Sequence, residues 1–439
     1  MLSLRERLQQ RAEKAGPIRV GLIGTGQMGT GLISQIERMD GIRVMAAADI
    51  VPDRARAAFL ESDVPSDLIE TIPDDPDRVK ELLANGRRVA TTSSELLLAS
   101  DQLDIIVEST GVPEIGARVC EAAISAGHHV VNMNVEADAT IGYYLAHKAM
   151  QAGVIYTLAA GDEPGSIKEL FDFADVLGFE VVTVGKGKNN PLDRSATPDS
   201  LAAKAQAQDM SAKMLCSFVD GTKTMVEMTS IANGVGFEPE VQGAYGPQCS
   251  VKDLAKVFVP KADGGIFDGK YRVDYAVGDV APGVFVIITT DQPKIIKDLK
   301  YLRLNGHGNY WALYRPYHLA NLETPISIVQ AVLDGHATLA TRRPPVAETI
   351  AAAKRDLKPG DVIDSLGGFT VYGLIEKASV TAAEGYLPLG LSIGARVIRP
   401  VSQGSPIRYA DVELDMTQTI VRLRAEQDKL LVGGYAKAL

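Results

Sequence analysis

The stretch Val20-Gly21-Leu22-Ile23-Gly24-Thr25-Gly26-Gln27-Met28-Gly29 decides the fold of the first part of this chain. It places a G-x-G-x-x-G pattern directly after an apolar run and before a segment with the apolar spacing of a helix. Gly24 suits a tight turn, Gly26 lets a pyrophosphate approach the backbone, and Gly29 lets the helix pack closely on the strand. The helix N-terminus would offer its amides to the phosphates. The pattern therefore predicts a dinucleotide site that includes Thr25, Gln27 and Met28; the alternative is a glycine-rich turn that binds no ligand.

The surrounding sequence repeats the alternation of a buried strand with a helix. Short apolar runs occur at Val20–Ile23, Val44–Ala48, Ile105–Val107, Val130–Val131 and Val154–Leu158. Continuous apolar strands separated by helices are typical of a parallel sheet covered on both faces. We therefore predict an α/β protein whose residues 1–165 form a Rossmann domain.

The choice between the two nicotinamide cofactors is left open by the residues after the second strand. Asp49 lies twenty residues after Gly29, a position suited to ribose hydroxyls, which favours NAD. Arg54 and Arg56 follow within about one helical turn and could pair with the 2′-phosphate of NADP.

Polar residues also follow two later strands of the predicted sheet. Thr110 and Gly111 come after one, and Asn132 and Asn134 end the other. Ligands bind at the carboxyl ends of strands in open α/β sheets, so these four residues are candidates to line the ribose and nicotinamide. The alternative is that they are ordinary polar loop residues.

The rest of the chain predicts two further regions. Residues 166–304 combine a helical region at 198–233 with strands at 271–277 and 284–290, which indicates an α+β substrate domain. A helix at 323–340 suggests that residues 305–345 complete the first domain. After Pro344-Pro345 and a lysine-rich helix ending at Lys358, short segments such as 369–372, Leu389 and 395–399 predict a small, mostly β domain over 346–439.

Three groups of residues are candidates for catalysis or substrate binding. Asp162 and Glu163 end the last Rossmann strand and could bind a divalent metal or move a proton, or form a solvated turn. Lys186 and Lys188, followed by Asn189, point the same way if the chain is extended. They could hold a phosphate or polarise a carbonyl, or belong to an exposed basic loop.

The third group lies in an aromatic segment, Asn309-Tyr310-Trp311-Ala312-Leu313-Tyr314-Arg315-Pro316-Tyr317-His318. Arg315 and His318 could face an anionic substrate. Core packing is the alternative reading for the segment. Met210, Met214, Met225 and Met228 have helical spacing and are read as core residues.

Composition excludes some classes of function. The 439 residues carry 45 basic and 55 acidic side chains, a net charge of −10, which argues against nucleic acid as a partner. No apolar run approaches the ~18 residues of a membrane span, and we expect a cytoplasmic location. Cys120, Cys216 and Cys249 are widely separated and are expected to be reduced, buried thiols.

The glycine motif, the run from His129 through Asn134 and Ala159-Ala160-Gly161 resemble the homoserine-dehydrogenase superfamily. Where those dehydrogenases have lysine after the asparagine, this chain has Val135 followed by Glu136. That departure argues against homoserine dehydrogenase activity itself.

A resemblance over essentially the whole chain is to the deoxyxylulose 5-phosphate reductoisomerase-like enzymes, shortened to DRL. It is carried by Gly185-Lys186-Gly187-Lys188-Asn189-Asn190, by Tyr314-Arg315-Pro316-Tyr317-His318 and by the C-terminal region. That region is similar to SAF domains through Leu357-Lys358-Pro359-Gly360-Asp361, Leu387-Pro388-Leu389-Gly390-Leu391 and Arg399-Pro400-Val401.

The resemblance implies NADPH as hydride donor, a homodimer and sensitivity to phosphonates such as fosmidomycin. It also implies a phosphorylated sugar substrate, 1-deoxy-D-xylulose 5-phosphate, converted to 2-C-methyl-D-erythritol 4-phosphate in isoprenoid synthesis. Two other hypotheses stay open. One is a dehydrogenase of another hydroxy substrate without rearrangement, and the other is a non-catalytic nucleotide or sugar sensor.

Overall fold

A computed structural model describes residues 3–435 of the chain. In chain order the strands are β1 (Ile18–Ile23), β2 (Ile42–Ala48), β3 (Ile69–Thr71), β4 (Arg88–Thr91), β5 (Ile105–Glu108), β6 (His129–Asn132), β7 (Tyr156–Leu158), β8 (Glu180–Lys188), β9 (Glu238–Pro239), β10 (Arg272–Val277), β11 (Val284–Thr289), β12 (Gly306–His307), β13 (Tyr310–Arg315), β14 (Ala347–Ala353), β15 (Val371–Lys377), β16 (Arg396–Val397) and β17 (Val412–Glu413). The α-helices are α1 (Leu4–Ala15), α2 (Gln27–Ile36), α3 (Arg54–Glu61), α4 (Pro76–Ala84), α5 (Ser94–Leu98), α6 (Pro113–Ser125), α7 (Val135–Ala152), α8 (Glu163–Val176), α9 (Pro198–Ala207), α10 (Ala212–Val219), α11 (Thr222–Val235), α12 (Leu254–Val257), α13 (Pro293–Tyr301), α14 (Ala320–Asp334), α15 (Ala378–Glu384), α16 (Leu389–Ser392) and α17 (Thr419–Tyr435).

The described residues divide into two compact units. The first contains residues 3–165 and 319–342, and the second contains residues 166–318 and 343–435.

The first unit is built on a seven-stranded sheet in the order β3-β4-β2-β1-β5-β6-β7, in which all neighbouring strands are parallel. Its central strands are almost completely buried because helices cover both faces. The strand order reverses between β1 and β5, and ligands bind at such a switch point in open α/β sheets. The predicted Rossmann sheet is confirmed.

Helix α14 completes the first unit. Its Ile328, Val329 and Ala331 share a buried cluster with Leu32 and Ile33 of α2. The backbone amide of Leu158, at the end of β7, donates a hydrogen bond of 2.8 Å to the carbonyl of Leu339. The prediction that residues 305–345 join this unit holds for 319–342. It is wrong for 305–318, because β12 and β13 pair into the sheet of the second unit.

The second unit contains a mixed six-stranded sheet in the order β12-β13-β11-β8-β10-β9. Strand β8 lies in the middle, parallel to β10 and antiparallel to β11. One core cluster of this unit is formed by apolar residues of β8, β10, β11 and β13 together with the segment around α12. The helical region expected at 198–233 is present as three successive helices, α9, α10 and α11.

The C-terminal residues of the second unit form two antiparallel ladders, β14-β15 and β16-β17. The helix expected to end at Lys358 is wrong, because Ala347–Ala353 is a strand buried along its whole length. Pairing with β15 outweighs the high helix propensity of alanine there. Leu389, expected in a strand, instead begins the short helix α16.

Buried and exposed positions test two smaller predictions. The three cysteines are free and buried, as expected. Met225 and Met228 are core residues of α11, as predicted. Met214 is exposed on α10, so its assignment to the core is wrong. No helix among residues 3–435 combines the length and apolar character that a membrane span needs.

Candidate functional site

The glycine turn between β1 and α2 has space for a side chain at one of its three glycines and none at the other two. A Cβ on Gly24, whose φ is +96°, would lie 2.8 Å from the backbone of Ser109, and one on Gly29 would lie 2.1 Å from the carbonyl oxygen of Gly24. Apart from Gly26 and its two neighbours in the chain, no atom of the described residues lies within 4 Å of a Cβ built on Gly26. Packing within the protein thus requires Gly24 and Gly29, whereas Gly26 leaves space that fits an approaching pyrophosphate.

The N-terminus of α2 has the character of an anion site. Gly26 is its N-cap, no side chain among residues 3–435 caps it, and its first turn carries no acidic residue. Gln27 and Met28 are exposed there, whereas Thr25 is buried. The uncapped amides and the positive end of the helix dipole would therefore be available to a phosphate.

The residues that would contact the adenosine ribose surround Asp49. Its carboxylate accepts hydrogen bonds from the amide of Thr25 at 2.9 Å and from the Thr25 hydroxyl at 3.1 Å, and also from the amide of Val51. The half-exposed guanidinium of Arg54 lies 3.7 Å from the same carboxylate. Arg56 donates to the carbonyl of Ile69 instead, so Arg54 is the arginine left beside the ribose position.

A network of buried polar side chains lies at the carboxyl end of β6. The Asn132 side chain accepts from the amide of Asn134 at 2.9 Å and donates to the Tyr156 hydroxyl at 3.0 Å. Asn134 caps α7 through the amide of Ala137. Because both asparagines are fully buried and bonded to the protein, they fix these turns, and their contact with a cofactor stays a prediction.

Glu108, at the end of β5, pairs in register with Asn132 of β6 and was not singled out from the sequence. Its Oε1 accepts hydrogen bonds from the amide and the hydroxyl of Thr110, and its Oε2 is buried without a hydrogen-bond partner among the described residues. Burial raises the pKa of Glu108 to about 7, against the lowering effect of the Thr110 bonds. The feature of the sequence that could have identified Glu108 is an acidic residue at the end of an apolar strand. Gly111, after Thr110, has a φ of +68° and is exposed.

Asp162 and Glu163 lie where β7 leads into α8. Asp162 accepts a hydrogen bond of 3.1 Å from the amide of Glu163, and both residues are partly exposed. Gly161 precedes them with a φ of +80°, and a Cβ there would lie 2.5 Å from Cβ of Glu323 on α14. The turn is therefore tightly packed, while metal binding or proton transfer by the two carboxylates stays a prediction.

The second unit brings two lysines together on one face of its central strand. Lys186 and Lys188 alternate along β8 with Gly187, and both are about 95% buried, with exposures of 5% and 4%. The reading of these lysines as an exposed basic loop is wrong. Desolvating two like charges is costly, so such a pair needs compensating partners.

Glu227 is the partner of Lys186 and was missed by sequence reasoning. The Lys186 ammonium donates to the carboxylate of Glu227, which is buried on α11. The signal was present in the chain: Glu227 is the one acid within the apolar run Met225-Val226-Glu227-Met228. A charge on the buried face of a helix is expected to have a specific partner.

Lys188 has a different environment. Its ammonium donates to the carbonyl of Asn190 at 2.7 Å. Burial, followed by the positive charge of Lys186, lowers the pKa of Lys188 to about 8, while Asp220 and Glu227 act in the opposite direction. Asn189 is exposed, and its side-chain oxygen accepts from the Asn190 amide group.

Arg315 lies on the same face of the sheet as Lys186. Val284 of β11 pairs with Lys186 on one side and with Arg315 of β13 on the other, so the two backbones are about 10 Å apart. The Arg315 guanidinium donates to Glu169 at 2.8 Å and lies 4.6 Å from the ring centre of Tyr317.

His318 follows the end of β13 and is partly exposed. Its Nδ1–H donates to the carbonyl of Pro282 at 2.7 Å. In the same segment Tyr310 and Trp311 are buried, as core packing predicts. Substrate binding by Arg315 and His318 stays a prediction.

Three family models match this chain in succession. Residues 24–159 match the NAD-binding domain of homoserine dehydrogenase, residues 161–324 match the catalytic domain of oxidoreductase DRL, and residues 348–413 match the SAF domain. This order agrees with the predicted architecture. With the geometry of the glycine turn, the matches support a nicotinamide-dependent oxidoreductase.

Solved structures resemble this chain only distantly. A "probable dehydrogenase" from Thermotoga maritima is 14% identical with a TM-score of 0.41, over 73% of this chain and 90% of that one. The scyllo-inositol dehydrogenase of Lactobacillus casei, solved with NAD(H) and scyllo-inositol, is 14% identical with a TM-score of 0.38, over 68% and 76%. Comparison with curated protein sequences gives no significant match.

Proposed function

We propose that this protein is an NADPH-dependent reductoisomerase that converts 1-deoxy-D-xylulose 5-phosphate to 2-C-methyl-D-erythritol 4-phosphate. The observation that carries the proposal is the pair of buried lysines, Lys186 and Lys188, at the end of the central strand of the second unit. They lie in the segment that matches the DRL catalytic domain. Two buried ammonium groups on one face are suited to an anionic substrate with several oxygens.

The proposed reaction needs charge stabilisation at two places. A skeletal rearrangement generates negative charge on a substrate oxygen, and the phosphate keeps its own charge throughout. Lys186, held by Glu227, would stabilise the oxygen that becomes negative. Lys188 would bind the phosphate, helped by Asn189, Arg315 and His318. Because the pKa of Lys188 is about 8, its ammonium is retained at neutral pH and lost above it, so substrate affinity should fall at alkaline pH.

NADPH would be held by the first unit. When bound, it supplies the hydride that reduces the rearranged aldehyde to the alcohol. The uncapped N-terminus of α2 would take the pyrophosphate, and Arg54 would pair with the 2′-phosphate, since Asp49 is already engaged by Thr25. Replacing Arg54→Ala should then raise the Kd of NADPH far more than that of NADH. Equal effects on both cofactors would remove Arg54 from this role.

Asp162 and Glu163 are proposed to hold a divalent metal or to move a proton. With a metal, chelation and Glu163→Gln should lower kcat to a similar extent while cofactor affinity is kept. Full activity in metal-free buffer would contradict metal binding and would leave proton transfer or a structural role for the two carboxylates.

The decisive experiment is to incubate the enzyme with NADPH and 1-deoxy-D-xylulose 5-phosphate and to identify the product by mass and NMR. We expect NADPH consumption with the branched tetrol phosphate as product, blocked by fosmidomycin. The matched control for the arginine variant Arg54→Ala is Arg342→Ala, because Arg342 is exposed in the first unit, outside the cofactor turn and the lysine cluster. Reduction of the unrearranged ketose would contradict the proposal and favour the alternative, a dehydrogenase of another hydroxy substrate. That alternative is favoured by the match of residues 24–159 to homoserine dehydrogenase.

A further inference from the structure

Asn190, in the loop that follows β8, holds two lysine side chains at once. The Lys188 ammonium donates to its backbone carbonyl at 2.7 Å, and the Lys204 ammonium donates to its side-chain oxygen Oδ1 at 3.0 Å. Because both acceptors belong to one residue, the two ammonium groups lie within about 11 Å of each other. Lys204, on α9, was not singled out from the sequence, where it is one polar residue in an alanine-rich helix.

The partners of these two ammonium groups are neutral oxygens. Among residues 3–435, neither Lys188 nor Lys204 forms an ion pair, in contrast to Lys186, which is paired with Glu227. Lys188 is almost completely buried, so it gives up most of its hydration and gains only a carbonyl in return. Burying an ammonium group is costly unless an opposite charge compensates for it. The arrangement is therefore suited to an anion that comes from outside the chain.

The helix that carries Lys204 is anchored on its other side. Thr197 caps the start of α9, and its side chain accepts from the amide of the third residue of the helix. Ala205, the residue after Lys204, is buried in a cluster with Leu215 of α10. Lys204 itself is exposed. An exposed ammonium on a fixed helix, bonded to the residue that also holds Lys188, can contact the same ligand as Lys188 without a rearrangement of the backbone.

The electrostatics of Lys188 agree with this arrangement. Burial lowers the pKa of Lys188 to about 8, and the positive charges of Lys186 on β8 and Lys204 on α9 act in the same direction. The acids Asp220, before α11, and Glu227, on α11, act against them. A dianion bound by Lys188 and Lys204 would compensate for the repulsion between these like charges, whereas a neutral ligand would not.

We propose that Lys188 and Lys204, bridged by Asn190, form the subsite that binds the phosphate group of the substrate, and that Lys204 is the residue that selects phosphorylated substrates. The inference rests on the proposed function in taking the anion to be a sugar phosphate. Each ammonium group has three donors and gives one to Asn190, so donors remain for the phosphate oxygens. The rest of the substrate would lie toward Lys186, which is on the same face of β8 as Lys188.

The first test is the binding of inorganic phosphate to the full-length protein at pH 7, measured by isothermal titration calorimetry in a chloride buffer. Lys204→Met should raise the Kd of phosphate about tenfold, because a charge-assisted hydrogen bond is lost. Lys204→Arg should keep most of the affinity, because the positive charge remains. Lys297→Met is the matched control, since Lys297 is an exposed lysine on another helix of the same unit, α13, and it should leave the Kd unchanged. An unchanged Kd in Lys204→Met, or an equal rise in Lys297→Met, overturns the proposal.

Asn190→Asp tests the bridge between the two lysines. The substitution keeps the shape of the side chain but places a carboxylate beside Lys204, and this internal anion should compete with phosphate and raise its Kd. It should also raise the titration midpoint of Lys188, because a negative charge nearby favours the ammonium form. The midpoint is followed through the ε-carbon resonances of ¹³C-labelled lysine, in which the Lys188 signal is the one lost in Lys188→Met. A folded Asn190→Asp protein with the wild-type Kd and midpoint overturns the shared subsite.

Steady-state kinetics separate this inference from the proposed function. Lys204→Met should raise the KM for 1-deoxy-D-xylulose 5-phosphate about tenfold with kcat kept, and should leave kcat/KM for the unphosphorylated sugar unchanged. An equal loss of kcat/KM with both sugars would show that Lys204 does not select the phosphate group, and would overturn the inference while the proposed function stands. If deoxyxylulose phosphate is not turned over but Lys204→Met still weakens phosphate binding, the proposed function fails and the phosphate subsite stands.

Discussion

Gly26 and Gly29 lie three residues apart in one turn, yet a side chain would have opposite consequences at the two positions. Beyond the adjacent residues, a Cβ on Gly26 meets no described atom within 4 Å, whereas one on Gly29 lies 2.1 Å from a backbone oxygen. We expect Gly26→Val to keep the melting temperature and to weaken NADPH binding at least tenfold. Gly29→Ala should lower the free energy of unfolding by about 1–3 kcal/mol, because backbone atoms must move.

Thermal melts and cofactor titrations of the two variants check this pair of expectations. Unchanged NADPH affinity in a folded Gly26→Val protein would remove the pyrophosphate from this turn. A Gly29→Ala protein as stable as the wild type would show that the turn is more compliant than its contacts indicate.

Glu108 makes a prediction about pH. Its pKa in the folded protein is about 7, above the usual value of roughly 4.3, so the folded state binds a proton more tightly than the unfolded chain between these limits. The contribution of Glu108 to stability is therefore most favourable below about pH 4 and is lost as the pH rises to 7. The side chain of Glu108→Gln stays uncharged at both pH values. The free energy of unfolding of this variant, relative to that of the wild type, should therefore be about 1–3 kcal/mol higher at pH 8 than at pH 5.

Urea unfolding of wild type and Glu108→Gln at the two pH values measures this difference. Thr110→Val is the companion variant, because it removes the hydroxyl bond and leaves the carboxyl group in place. If the stability difference between wild type and Glu108→Gln is the same at pH 5 and pH 8, Glu108 does not titrate in this range.

At the scale of elements, β8 presents two lysines with separable roles. Lys186 is held by Glu227 and would stabilise charge that exists only in the transition state, so Lys186→Ala should lower kcat and kcat/KM together by about 10²-fold or more. Lys188 would bind the phosphate equally in the ground and transition states. Lys188→Ala should mainly raise KM and weaken a phosphonate inhibitor in parallel.

Steady-state kinetics at pH 7 and fosmidomycin inhibition measure the two effects. Glu227→Gln offers a further comparison, because it keeps a hydrogen-bond acceptor for Lys186 but not the charge. Wild-type kinetics in both alanine variants would assign the lysines a structural role and would remove the main support for the substrate.

At the scale of the whole molecule, the C-terminal region is a structural part of the second unit. The side chains of Thr222, Thr229 and Asn233 on α11 form hydrogen bonds with β14 and β15. The ammonium of Lys354 donates to the carboxylate of Asp220. A chain ending at residue 345 would remove Lys354 from Asp220 and would leave these polar side chains of α11 without their partners, at a cost of about 1–3 kcal/mol for each unsatisfied group. We expect this truncated chain to lose cooperative unfolding and all turnover.

Circular dichroism, limited proteolysis and the NADPH assay on this truncation separate two hypotheses. A sensor domain attached to an independent enzyme would leave turnover intact after its removal. Retained activity would therefore contradict the structural role and would favour a separate sensor domain attached to the enzyme.

Much of the first unit was predictable because its determinants are local. The Gly24–Gly29 turn, the apolar strands and Asp49 after β2 specify their conformations within a few tens of residues, and the parallel sheet follows from the alternation of strand and helix. The alternation of Lys186 and Lys188 along an extended strand likewise follows from the period of two. By itself the sequence also determined the order of the three regions, which the family matches confirm.

Only the tertiary structure decided which charges meet. Lys354 and Asp220 are 134 residues apart in the chain, and Lys186 and Glu227 are 41 apart, so no local pattern pairs them. The strand at Ala347–Ala353 has the composition of a helix and becomes β14 through its pairing with β15. For β14, burial and pairing against a distant segment outweigh the local preference of its alanines. The ion pairs form only where folding brings distant segments together, so neither outcome can be read from a local pattern.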